Sequence, residues 1–120
     1  DSIGKKIKVV NEIKNNLGLK NVYAEHIRSE NVKNSYDFIV NRAVTNMSNL
    51  VSLIGEKISH KNNHDSIKNG IISLKGGDLE NELNTFKNSK IYHLNELFVE
   101  PFFETKKIVY LAIPYKGMDN

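Results

Sequence analysis

The sequence predicts an α/β fold, a parallel sheet closed by an antiparallel edge unit. Short apolar runs alternate with helical stripes through the first two thirds of the chain, which suits parallel strands joined by helices. The last third holds apolar runs with no helix-length pattern between them, so its strands should pair antiparallel.

Ser2 is a candidate cap for a first helix, in which Ile3, Ile7, Val10, Ile13 and Leu17 recur at helical spacing until Gly18 stops it. Lys5 and Lys8 fall on its opposite face, as a solvated lysine surface or a phosphate contact. Asn21 to Glu25 is a short strand candidate, and His26 to Val32 suits a loop or one helical turn. A second strand centres on Phe38 to Val40 and breaks off at Asn41-Arg42. Met47, Leu50, Val51, Ile54 and Ile58 then give the clearest amphipathic helix of the chain, with Thr45 or Ser48 as its cap.

Lys61 to Asn69 has loop composition. Gly70 to Leu74 reads as the third strand, followed by Lys75-Gly76-Gly77-Asp78. Asp78 is expected to cap a helix holding Leu79, Leu83 and Phe86, with Glu80 and Glu82 in the first turn, where the helix dipole favours anions. Ile91 to Leu94 and Leu97 to Val99 are strand-like, Pro101 interrupts them, and Ile108 to Ile113 forms the final strand before Pro114.

With 120 residues, 39% of them apolar, the chain holds one domain with a sizeable core. A net charge of +3 is a mild basic bias, compatible with an anionic ligand or nucleic acid. The absence of cysteine excludes disulfides, thiolate metal sites and a cysteine nucleophile, and suits a reducing, cytoplasmic setting. No apolar run approaches the ~20 residues that span a bilayer, so no membrane partner is expected. His60, His64 and Asp65 sit close in sequence, but no further ligand is spaced to close a metal site, and none is expected. The chain opens at Asp1 directly onto a helix, which reads as a chain cut from something longer.

Two cations follow apolar strands: Arg42 after Phe38 to Val40, and Lys75 after Gly70 to Leu74. In open α/β sheets the ligand crevice lies outside the carboxyl ends of the strands, so both are candidates for a ligand site. Equally, Arg42 could be a loop arginine paired with a surface acid, and Lys75-Gly76-Gly77 a plain strand-to-helix turn. No G-x-G-x-x-G arrangement occurs, so a dinucleotide or adenosyl site cannot be complete within these residues.

Four segments taken together resemble one family in order and spacing. They are Asp1-Ser2-Ile3-Gly4-Lys5-Lys6, Arg28-Ser29-Glu30-Asn31-Val32, Tyr36-Asp37-Phe38-Ile39-Val40-Asn41-Arg42-Ala43-Val44 and Leu74-Lys75-Gly76-Gly77-Asp78. The chain resembles the carboxyl-terminal part of the RsmG proteins, also called glucose-inhibited division protein B, which use S-adenosylmethionine to methylate guanine N7 in 16S ribosomal RNA. The resemblance covers nearly the whole chain. It implies a Rossmann-like class I methyltransferase sheet, in the order 3-2-1-4-5-7-6, with an antiparallel C-terminal hairpin. Residues 1–120 would be the carboxyl-terminal portion of that single domain, lacking the first strand and most of the second.

The resemblance also implies roles. Asp1 would receive the cofactor ribose, Ser29 and Glu30 would border its adenine, and Arg42 would lie at the cofactor and target-base pocket. Arg28, Lys75 and Lys106 would face RNA, the partner being 16S ribosomal RNA or the small ribosomal subunit. Thr105-Lys106-Lys107 departs from the family by offering lysine where an arginine is usual. The family's glycine-rich cofactor loop would precede Asp1, so this chain alone is expected to be inactive, and the strand at Asn21 to Glu25 is expected to lack a neighbour. No catalytic base is sought, because guanine N7 already carries a lone pair. Two other readings remain. One is a non-catalytic RNA- or ribosome-binding module. The other is a nucleotide-cofactor oxidoreductase, against which the Asn-Arg-Ala and Lys-Gly-Gly segments argue.

Overall fold

The computed structural model describes residues 1–42 and 45–115, which divide into two units, 1–33 and 34–120. In the first unit, α1 (Gly4–Asn16) is the predicted amphipathic helix. Gly18 ends it in the left-handed region at φ +66°, where a side chain would be strained. Ser2 is not its cap: Ile3 occupies the capping position without a side-chain bond, while Asp1 Oδ1 accepts the Ile3 N–H at 2.8 Å. The Ser2 carbonyl lies 3.0 Å from His26 Nε2 instead. None of the helix is fully buried, and Val10 and Ile13 remain exposed.

Asn21 to Glu25 forms no strand. The Asp1 backbone meets the end of this stretch and its continuation: its nitrogen donates to the Glu25 carbonyl at 3.0 Å and its carbonyl accepts from Ile27 N–H at 2.8 Å. Bonds from one residue to two positions flanking its opposite number follow the parallel pattern, but a strand needs a longer ladder. The helical turn foreseen after it is a single 3₁₀ turn at Ser29–Asn31.

The second unit is a four-stranded mixed sheet. Its strands are β1 (Phe38–Arg42), β2 (Gly70–Gly76), β3 (Lys90–His93) and β4 (Lys106–Ala112), in the order β1-β2-β4-β3. β1 and β2 run parallel, and β4 is antiparallel to both β2 and β3. The first strand does not break at Asn41, because Ser73 Oγ, fully buried on β2, donates to Asn41 Oδ1 at 3.0 Å and gives the polar residue a cross-strand partner.

α2 (Met47–Ile54) places Met47, Leu50 and Ile54 in the core with Ile71 of β2 and Val109 and Leu111 of β4. Its cap is Asn46, whose Oδ1 accepts the Asn49 N–H at 2.9 Å, rather than Thr45 or Ser48. The helix gives way at Gly55 to a 3₁₀ turn, and Ile58 still reaches the core. The expected helix after Asp78 is a chain of turns, in which Leu83 N–H bonds the Leu79 carbonyl at 2.9 Å and Phe86 N–H that of Leu83. Asn81, Asn84 and Thr85 are poor helix formers, yet Leu79, Leu83 and Phe86 are all buried. Leu97 to Val99 likewise form no strand. They lie between 3₁₀ turns at Leu94–Glu96 and Pro101–Phe103, and Leu97 and Val99 are strongly exposed.

The loop at Lys61 to Asn69 is tied down by the fully buried Asn69, whose Nδ2 donates to the carbonyls of Ser59 at 2.8 Å and Lys61 at 2.9 Å. Tyr110 Oη donates to the Lys68 carbonyl at 2.7 Å from the other side of the sheet. Burial, with Tyr92 nearby, raises the Tyr110 pKa, so its phenol stays protonated in the fold at a pH where the unfolded chain begins to lose that proton. Its contribution to stability is therefore full below pH 10 and declines above it. Among the described residues no helix is long and apolar enough to cross a membrane.

Candidate functional site

Strand direction and register bring Arg42, Lys75, Lys106 and Lys107 to one edge of the sheet. β1 and β2 end where β4 begins, so Arg42 pairs with Leu74, Leu74 with Ile108, Lys75 with Lys107, and Gly76 with Lys106. Around this edge lies a cavity of about 560 Å³. Arg42, Lys75, Lys106 and Lys107 line it with Glu82, and Leu79, Leu94, Phe102 and Phe103 supply apolar walls. Such a volume falls in the range of small-molecule sites, roughly 300–1,000 Å³.

The four cations are not equivalent. Lys75 Nζ is 2.6 Å from Glu82 Oε2 and donates to the Thr45 carbonyl at 3.1 Å, with its side chain only 10% exposed. The same Glu82 oxygen accepts the Met47 N–H at 3.0 Å, at the start of α2. Lys75 thus fastens the end of β2 to the loop before α2 and to the 79–86 turns, and its charge is largely compensated within the protein. Lys107 Nζ donates to the Gly77 carbonyl, while Gly77 N–H donates to that of Thr105 at 3.0 Å. These bonds close the turn after β2, where Gly77 takes φ +75°. Arg42 is exposed and has no ion pair among the described residues, so the surface-acid pairing is not seen. Lys106 has its Nζ over the Phe102 ring, 4.9 Å from the centroid.

The sequence-predicted site residues fall into two sets. Arg42, Lys75 and Lys106 meet around this one cavity. Asp1, Arg28, Ser29 and Glu30 belong to the first unit. There Asp1 lies beside Ile27, just before the Ser29–Asn31 turn, and Ser29 Oγ donates to Glu30 Oε2 at 3.2 Å. Asp1 is exposed, and its side-chain Oδ1 accepts the Ile3 N–H. An exposed carboxylate held by its own backbone, with acceptor capacity to spare, can accept hydrogen bonds from a pair of hydroxyls. Among the described residues no three metal-binding side chains cluster, and His64 contacts Asp37 at 3.2 Å.

Sequence reasoning missed Glu82, Phe102 and Phe103. The only signal was Phe-Phe followed by Lys-Lys just before the last strand, a pairing of aromatic and cationic side chains.

Residues 1–109 match the family model described as rRNA small subunit methyltransferase G, GidB. The chain is 53% identical over 116 residues to the ribosomal RNA small subunit methyltransferase G of Flavobacterium psychrophilum, covering 97% of this chain and 55% of that protein. The protein of the same name from Christiangramia forsetii is 51% identical over 117 residues, or 98% of this chain and 55% of its own. That of Bacteroides fragilis is 47% identical over 114 residues, covering 94% of this chain and 55% of the relative. The chain spans about half the length of the curated relatives it matches. A match over 109 of 120 residues, with identities of this size, leads to one conclusion: the chain belongs to the rRNA small subunit methyltransferase G family.

Proposed function

We propose that this chain serves S-adenosylmethionine-dependent methyl transfer to N7 of a guanosine in 16S ribosomal RNA, within a protein of its relatives' length. The observation that carries this reading is the cationic cavity at the carboxyl ends of β1 and β2, in a chain of this family. The strand order β1-β2-β4-β3 supports a Rossmann-like class I methyltransferase sheet.

When bound, S-adenosylmethionine would supply a methyl group on a sulfonium, which leaves as a neutral thioether. Guanine N7 contributes the lone pair that forms the new N–C bond, so no proton has to be removed. The protein's task is alignment, which is mainly proximity and orientation. Asp1 accepts hydrogen bonds from the ribose hydroxyls, and Ser29 and Glu30 border the adenine. Arg42 holds the target nucleotide by its phosphate. A bidentate arginine on O6 and N7 would occupy the lone pair the reaction needs. Lys106 and Arg28 contact further phosphates, which fix register without reading sequence. Lys75 acts chiefly through Glu82, setting the wall of the cavity.

Calorimetric titration of the full-length protein with S-adenosylmethionine tests the cofactor assignment. Saturable binding is expected, weakened roughly tenfold to a hundredfold by Asp1→Ala, as a charged hydrogen bond is lost. No heat with the wild type would favour the non-catalytic RNA-binding module instead.

A further inference from the structure

The segment between β3 and β4 carries an aromatic cluster that the proposed chemistry does not use. Phe98 and Phe103 stack with centroids 4.6 Å apart, and Phe102 meets Phe103 edge-on at 5.1 Å and 88°. Phe103 is half-buried and anchors the group, whereas Phe102 stays 66% exposed even with Lys106 over its ring. Both phenylalanines line the cavity with Lys106, Lys107 and Arg42. The acids of the same segment, Glu96, Glu100 and Glu104, do not line it.

We propose that Phe102, fixed by Phe103 and flanked by Lys106, is a stacking platform for an unpaired RNA base at the mouth of this cavity. The inference rests on the reading of the cavity as an RNA site. Recognition of single-stranded RNA combines aromatic faces, on which splayed-out bases stack, with cations that follow the phosphates. Here both lie within one short stretch, Phe102 to Lys107, at the edge that carries Arg42. An apolar protein surface laid on Phe102 would have to dehydrate Lys106 and Arg42 without returning a charge, whereas a nucleotide brings a phosphate with its base. Stacking reads the π-face of any base, so the platform positions a nucleotide beside the target and does not select its identity.

The test is binding of a fluorescent single-stranded RNA oligomer to the full-length protein, measured by anisotropy across a salt series. Phe102→Ala is expected to weaken binding about 5- to 100-fold with the salt slope unchanged, because it removes a stacking face and no charge. Phe102→Tyr should bind within about twofold of wild type, since it keeps the face. Phe102→Leu, which keeps apolar bulk without a π-face, should behave like alanine. Lys106→Gln should reduce the salt slope. An unchanged thermal midpoint shows that each variant folds, as expected for an exposed ring. If the wild type binds and both Phe102→Ala and Phe102→Leu bind equally well, the platform is refuted while the RNA reading stands. If the wild type binds no RNA, both fail. Self-association that Phe102→Ala abolishes, with RNA affinity unchanged, would make the patch a contact between copies and also overturn the proposal.

Discussion

Arg42→Ala in the full-length protein is expected to lower methylation of 16S ribosomal RNA at least about a hundredfold, the penalty that a displacement of about 1 Å imposes on an aligned reaction. Stability should hardly change. Arg42 is the last residue of β1, exposed, and without an ion pair among the described residues, and surface substitutions of this kind fall within about 0.5 kcal/mol. Arg42→Lys should fall between the two, because an ammonium keeps the charge but not the planar fork that grips a phosphate. Turnover assays with thermal melts on the same samples check this, and wild-type turnover by the alanine variant would remove Arg42 from the site.

Gly70→Ala is expected to have the opposite profile, a loss of stability. Gly70 opens β2, paired with Phe38 on one side and Ala112 on the other. A Cβ added there would lie 2.2 Å from the Leu111 carbonyl oxygen and 2.9 Å from Ala112 Cα. Both obstacles are backbone of β4, so neither can turn aside as a side-chain tip would. Relief requires β2 and β4 to separate where Ile113 N–H also bonds the Asn69 carbonyl at 3.0 Å. Overpacking of this kind costs about 3 kcal/mol, which for a domain of this size lowers the thermal midpoint by roughly 10 °C. A midpoint equal to wild type would show that the strands can move apart freely.

The cores of three strands, Phe38 to Val40, Gly70 to Leu74 and Ile108 to Ala112, were legible as compact apolar runs, whereas the polar residues that extend them to Arg42, to Gly76 and back to Lys106 were not. α2 was legible from its stripe, although its cap was not, since Thr45, Asn46 and Ser48 offer equally good side chains and only the entry angle of the chain selects one. The 79–86 segment shows where periodicity misleads. Leu79, Leu83 and Phe86 are spaced for a helix and are buried as a helix would bury them, but turns bury them equally well. Leu97 to Val99 misled for a related reason: β-branched and aromatic residues favour strands only where a neighbouring strand can receive them, and β4 takes Lys90–His93 instead.

For the site, the cations after β1 and β2 were visible as polar residues closing apolar runs. The compensation of Lys75 by Glu82 was not, because the two meet only once the turns after Gly77 fold back. Phe102 and Phe103 escaped because an aromatic pair has meaning only when its neighbours in space are known.

The measurement that tests the central claim most directly is methyl transfer from labelled S-adenosylmethionine to 16S ribosomal RNA lacking the modification. Chemical cleavage selective for N7-methylguanosine would follow. The account predicts label in the RNA and one cleavage site, both dependent on the full-length protein and reduced by Arg42→Ala. Label without cleavage, placing the methyl elsewhere on the base or ribose, or no label at all, would contradict it.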